Sequence, residues 1–130
     1  MSGMILAGLR VLVVEDEVLI SLLVEDILAE QGCTVVGPYD RVADALKAAR
    51  AETIDMAVLD VNVAGVKVYP VAEILAAREI PFLLLSGYGR QAIPPEHPTW
   101  RVCGKPFRPE TLVTMLNDLM GKGQSIPRTG

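Results

Sequence analysis

Five side chains stand out because each ends or follows an otherwise aliphatic run. Glu15 and Asp16 follow RVLVV, Asp60 ends DMAVLD, Ser86 ends FLLLS, and Lys105 follows WRVCG. Three carboxylates, a hydroxyl and an ammonium gathered in one place suit phosphoryl transfer, where catalysis is mostly positioning and charge neutralisation. Clustered carboxylates raise one another's proton affinity, and a hard divalent cation relieves the repulsion. Mg²⁺, or Mn²⁺ in its place, prefers oxygen ligands, and Mg²⁺ keeps several waters that phosphate oxygens can replace. A lysine adds a compact positive charge that pairs with a carboxylate or a phosphoryl oxygen. A serine hydroxyl can donate to a phosphoryl oxygen. Within such a group Asp60 is the nucleophile, because carboxylates form aspartyl phosphates.

Singly, each piece has an ordinary explanation. Glu15-Asp16 can be a charge pair at a helix N-terminus. Asp60 can be a strand-end turn residue, Ser86-Gly87 a plain turn, and Lys105-Pro106 is weak on its own. Their joint placement, each at a strand end and in order, carries the reading.

For these groups to meet, the strands must be parallel with their carboxyl ends on one edge. Apolar runs at 10–14, 33–37, 55–60, 80–85 and 100–103 read as five strands. Between the first two, Ile20, Leu23, Val24 and Ile27 repeat at helical spacing, and Gly32 is a natural stop. Asp40 is placed to cap a helix through Ala51 with Val42, Ala45, Leu46 and Ala49 on one face. Pro70 fits the first turn of a helix running to Arg78. Pro109 starts a last helix, with Leu112, Met115, Leu116 and Leu119 inward and Gly121 at its end. The pattern predicts an α/β fold, a doubly wound parallel sheet covered on both faces. Ligands then bind outside the carboxyl ends of the strands.

One stretch breaks the alternation. Between Ser86 and Lys105 the chain passes Gly87, Gly89, Pro94, Pro95 and Pro98. The prolines leave room for a short helix around 89–93 at most, so a loop-rich, mobile segment is expected there.

Composition narrows the function classes. The 130 residues suffice for one domain, with tails expected at 1–8 and 122–130. The net charge of −4, from 12 basic and 16 acidic residues, argues against a nucleic-acid partner. The apolar N-terminus is interrupted by Arg10 and too short to span a bilayer, so no membrane insertion and a cytoplasmic location are expected. Cys33 and Cys103 have no metal spacing and read as small core residues of a reducing compartment. His97, without a second His or Cys near it, reads as a solvated loop residue.

The segments VLVVEDE (11–17), MAVLDVNV (56–63), LLLSGYG (83–89) and GKPF (104–107) resemble the receiver domain of two-component response regulators. The resemblance covers about residues 9–120, so 9–121 is taken as the receiver domain. It implies a flavodoxin-like five-stranded sheet of order 2-1-3-4-5, with the fourth helix shortened or replaced by loop. It implies Asp60 as phosphoacceptor, Asp16 as a direct Mg²⁺ ligand, Glu15 acting through water, and the Asn62 backbone carbonyl on the metal. Ser86 would be the switch hydroxyl, Lys105 the phosphate-pairing lysine and Pro106 a cis proline. Glu15 stands where an aspartate is more usual.

Two departures matter. Val102 occupies the position of the usual aromatic switch residue, with Trp100 two residues earlier on the same face, and Tyr88 is the better aromatic candidate. LLLSGYG, VYPVAEIL (68–75) and the proline-rich segment resemble the single-domain FATGUY receivers of alphaproteobacteria. That resemblance implies a sensor histidine kinase of the HWE/HisKA2 type, or a histidine phosphotransfer protein, as donor, and a role in stress signalling.

The implied function is a stand-alone phosphorylation switch that signals by protein contact or acts as a phosphate sink. It is no enzyme beyond self-phosphorylation and autodephosphorylation. The alternatives are a receiver-fold adaptor working without phosphorylation, and a Mg²⁺-dependent phosphatase. The phosphatase class usually has a second Asp two residues after the nucleophile, where this chain has Asn62.

Overall fold

The computed structural model describes residues 5–129, with side chains through 121. In chain order it runs β1 (Arg10–Val14), α1 (Val18–Glu30), β2 (Thr34–Tyr39), α2 (Val42–Ala51) and β3 (Met56–Asp60). Then come β4 (Asn62–Val63), β5 (Val66–Lys67), α3 (Tyr69–Ala77), β6 (Phe82–Ser86), a 3₁₀ turn (Gly89–Ala92), β7 (Arg101–Gly104) and α4 (Pro109–Thr129). Five strands form one parallel sheet in the order β2-β1-β3-β6-β7. Counting only those five, this is the expected 2-1-3-4-5 arrangement.

Strand alternation divides the core in two. Leu12 and Val14 of β1, Ala57 and Leu59 of β3, and Phe82 and Leu84 of β6 face α2 and α3. Val11 and Val13, Met56 and Val58, and Leu83 and Leu85 face α1 and α4, meeting Val24, Leu28, Leu112 and Leu116. Each fully buried aliphatic side chain is worth about 1.5–3 kcal/mol relative to exposure. The central strands, buried on both faces, therefore hold their carboxyl ends firmly on one edge.

Several boundaries differ from the sequence reading. Leu6, expected in a tail, is fully buried, and the Gly8 N–H donates to the Gly32 carbonyl. Residues 1–4 of that expected tail lie outside the described residues. At the other end α4 does not stop at Gly121 but continues to Thr129, so 122–129 is helical backbone. Residue 130 is not described. Asp40 does not cap α2; Arg41 stands at the N-cap with no side-chain hydrogen bond. Pro70 does sit in the first turn of α3. Cys103 is buried as expected, but Cys33 is only half-buried, its thiol 3.4 Å from the Leu6 carbonyl.

Strand β2 ends two residues later than its apolar run suggests. Leu12 pairs with Val36 and Val14 with Tyr39, so the ladder slips between them. Gly37 permits the slip. Its φ is +104°, and a Cβ there would stand 2.8 Å from the Tyr39 nitrogen and 3.1 Å from the Val13 carbonyl. The slip lets the Tyr39 carbonyl accept the Glu15 N–H at 2.9 Å.

The β4–β5 hairpin was not expected. Its two-residue turn has φ values of 51° at Ala64 and 82° at Gly65. Positive φ at both central positions is the signature of a type I′ turn, which matches the twist of paired strands. Among the described residues no helix is long and apolar enough to cross a membrane.

Candidate functional site

The polar residues singled out in the sequence meet at the carboxyl edge of the sheet. Asp16, Asp60, Ser86 and Lys105 line one open cleft of about 540 Å³, and the buried Glu15 lies against Lys105.

Glu15 continues β1 and is 2% exposed. Its Oε2 accepts the Glu17 N–H at 3.1 Å. Its Oε1 is buried, accepts no hydrogen bond, and lies 3.4 Å from the Lys105 ammonium. Burial pushes its pKa up to about 7; the Asp60 charge adds to this, while the Glu17 N–H and Lys105 oppose it. Asp16, next along, accepts the Ala64 N–H on Oδ2 at 2.9 Å. The first strand end is thereby fastened to the hairpin.

Asp60 closes β3, 6% exposed, with Oδ1 at 3.1 Å from the Lys105 ammonium. Ser86 closes β6, 4% exposed, and its Oγ accepts the Tyr88 N–H at 3.0 Å. The Ser86 carbonyl accepts the Lys105 N–H at 2.9 Å, so the two ends of the glycine- and proline-rich stretch are joined through backbone. Lys105 also reaches Glu17 Oε1 at 3.1 Å. Burial alone would lower the lysine's pKa, but Asp60, Glu15 and Glu17 outweigh it and hold it above the ordinary value. The Lys105–Pro106 peptide is cis, as the resemblance implied; so is Gly37–Pro38, which nothing in the sequence singled out.

The intervening segment has one 3₁₀ turn at 89–92 and otherwise loops. Tyr88 is 79% exposed. His97, expected as a solvated loop residue, does lie in a loop but is only half-exposed. It stacks on Trp100 with ring centroids 3.9 Å apart and lies 3.5 Å from Glu73. Trp100 in turn meets Phe82 edge-on at 5.1 Å, and Trp100 and Val102 pack on the same core face. The segment is also tied to α3, because the Tyr69 hydroxyl donates to the Ala92 carbonyl.

The sequence reading missed Glu17 as a partner of Lys105, the Asp16–Ala64 bond and the Tyr69–Ala92 bond. Glu17 carried a weak signal as the third acid of a run; the other two carried none.

The donor set suits a hard divalent cation. One oxygen each of Glu15, Asp16 and Asp60 lies within 4.8 Å of the others, and Glu15 Oε1 is buried without a hydrogen bond. All three donors are oxygen, which favours Mg²⁺, Mn²⁺ or Ca²⁺ over soft metals. Asn62 lines the same cleft.

Residues 11–117 match the family profile described as "Response regulator receiver domain". No curated protein sequence matches the chain. Among solved structures, SdrG from Sphingomonas melonis Fr1 is 38% identical with a TM-score of 0.75, over 88% of this chain and 98% of that one. SdrG has also been solved in a BeF3-activated conformation, which is 39% identical with a TM-score of 0.70, over 90% of this chain and 97% of that one. The response regulator PhyR from Brucella abortus is 26% identical with a TM-score of 0.81, over 97% of this chain but 54% of PhyR, so this chain spans about half that protein's length. The receiver domain of the sensor histidine kinase PA1611 from Pseudomonas aeruginosa, solved with a magnesium ion in its active-site cleft, shares the fold at 22% identity, with a TM-score of 0.72 over 88% of this chain and 99% of that one.

Proposed function

The chain belongs to the response regulator receiver domain family, and we propose that it is a phosphorylation switch that takes a phosphoryl group on Asp60 from a sensor histidine kinase or a histidine phosphotransfer protein. The observation that carries this is the Lys105 ammonium 3.1 Å from Asp60 Oδ1, beside the buried carboxylates of Asp60 and Glu15.

An Asp60 oxygen attacks phosphorus in line as the bond to the donor breaks. Lys105 bears on the same carboxylate and offsets the charge of the arriving phosphoryl oxygens. Asp16, Asp60, Glu15 through water and the Asn62 carbonyl are the groups that would hold Mg²⁺. When bound, the ion neutralises charge on the phosphoryl oxygens. Ser86 accepts the Tyr88 N–H and keeps its own O–H free to donate to the phosphoryl group. A shift of Ser86 toward that group draws on the turn that carries Tyr88. The change therefore spreads into the segment at 87–99 and to β7, and the signal leaves by protein contact.

The glycine–tyrosine–glycine turn after Ser86 supports assignment to the FATGUY group of receivers. The BeF3-activated form of SdrG supports the phosphoryl switch, since beryllium trifluoride is a general phosphoryl analogue. The test is incubation with Mg²⁺ and acetyl phosphate, or with a panel of kinases, read by intact mass. Wild type should gain a phosphoryl adduct and Asp60→Asn should not. Wild type that gains none from any donor is incompatible with the switch.

A further inference from the structure

Building on Asp60 as the attacking group, we propose that Lys67 is a second cation of the site, placed on the leaving-group side of the cleft. It would favour donors whose leaving group departs as an anion, acyl phosphates above all. Lys67 lies in β5 directly across the hairpin from Asn62, two residues past Asp60. It is exposed and lines the same cleft as Asp60, Ser86 and Lys105. Among the described residues it makes no ion pair, whereas Lys105 is committed to Glu15, Glu17 and Asp60.

The strand carrying Lys67 is held in place. Its turn is the two-residue type described above, the Ala64 N–H is bonded to Asp16 Oδ2, and Val63 is fully buried. The stem of Lys67 therefore starts from a fixed point tied to the acidic cluster. In-line transfer puts the attacking oxygen and the departing group on opposite sides of phosphorus. Lys105 is largely buried and engaged with Asp60 Oδ1, whereas Lys67 is exposed and lines the same cleft; the departing group is accordingly assigned to the side that Lys67 lines.

With an acyl phosphate, the bond from Asp60 oxygen to phosphorus forms while the bond from phosphorus to the acyl oxygen breaks. The electron pair leaves on that oxygen as a carboxylate. An ammonium beside it offsets the developing charge. Phosphoramidate carries a protonated nitrogen near neutral pH, so the bond from phosphorus to nitrogen breaks with its electron pair left on nitrogen and neutral ammonia departs, which gains less from the same lysine. Lys67 also counters the repulsion that Glu15, Asp16, Glu17 and Asp60 impose on any anionic donor.

The experiment compares acetyl phosphate with phosphoramidate, both with Mg²⁺, on wild type, Lys67→Ala and Lys67→Arg. Lys67→Ala should slow acetyl phosphate about three- to fivefold and phosphoramidate by less than about twofold, the scale of one exposed charge. Lys67→Arg should restore the wild-type ratio, and the difference between donors should shrink as salt is raised. Each variant is read with both donors, so a general loss of folding cancels from the ratio. If wild type reacts and Lys67→Ala leaves the ratio unchanged, the role of Lys67 is wrong and that of Asp60 stands. If wild type reacts with neither donor, the reading of Asp60 itself fails.

Discussion

The Lys105 ammonium lies 3.1 Å from Asp60 Oδ1, and both side chains are largely buried. Glu15, beside them, is buried as well, so one lysine holds two acids that would otherwise be left without a cation. Replacing Lys105 with Met should therefore destabilise the metal-free protein by about 1–3 kcal/mol. Mg²⁺ should recover much of that loss. Urea unfolding with and without Mg²⁺ checks both statements, and an unchanged midpoint for Lys105→Met would falsify the pairing.

Metal binding should itself stabilise the fold. A ligand at a hundredfold excess over its dissociation constant adds about 2.7 kcal/mol if it binds only the folded state. Mg²⁺ should raise the melting temperature of wild type, while Asp16→Asn should shift much less. An equal rise in both proteins would remove Asp16 from the ligand set.

Gly37 should be intolerant of a side chain. A Cβ would press on backbone atoms of Tyr39 and Val13 and would also strain a φ of +104°. We expect Gly37→Ala to cost about 2–4 kcal/mol, the range of overpacking plus left-handed strain. Gly104→Ala is the control, because nothing lies within 4 Å of a Cβ there. Its stability should change by less than about 0.5 kcal/mol. Similar losses in the two variants would show that the slipped register of β2 does not depend on Gly37.

The bond from Tyr69 to Ala92 should anchor the turn at 89–92. Tyr69→Phe should cost about 0.5–1.5 kcal/mol and speed amide exchange at Gln91 and Ile93. Burial holds the Tyr69 phenol above its ordinary pKa. A phenol whose folded pKa exceeds its unfolded value contributes stability that is complete below about pH 10 and is lost as pH rises through the folded value. The alkaline fall in stability should therefore be shallower in Tyr69→Phe than in wild type, as thermal melts at rising pH would reveal. Identical slopes would mean that the hydroxyl is not buried in solution.

Strands were legible where a short aliphatic run stopped at a polar residue, as in VLVV before Glu15 and FLLL before Ser86, whereas the longer apolar stretch of α1 repeats at helical spacing. The hairpin was illegible: two strands of two residues leave no periodicity, and Ala64-Gly65 is a weak turn signal. The end of α4 was misplaced because Gly121 marks a stop only when the chain beyond it leaves the helical conformation, and here the backbone continues to Thr129. Asp40 looked like a cap, yet capping depends on a backbone geometry that falls to Arg41 instead.

The order of polar residues at the ends of apolar runs was determined by the sequence alone. Once the sheet is parallel, Asp16, Asp60, Ser86 and Lys105 must share an edge, because every strand ends on the same side. The tertiary structure decided how they are held. Lys105 meets Glu17 across 88 residues and Asp16 meets Ala64 across 48. Those bonds, the slipped register at Gly37 and the tie from Tyr69 to Ala92 depend on distances of a few ångströms between remote segments. Such distances follow from how the whole core packs, and no local pattern of residues carries them.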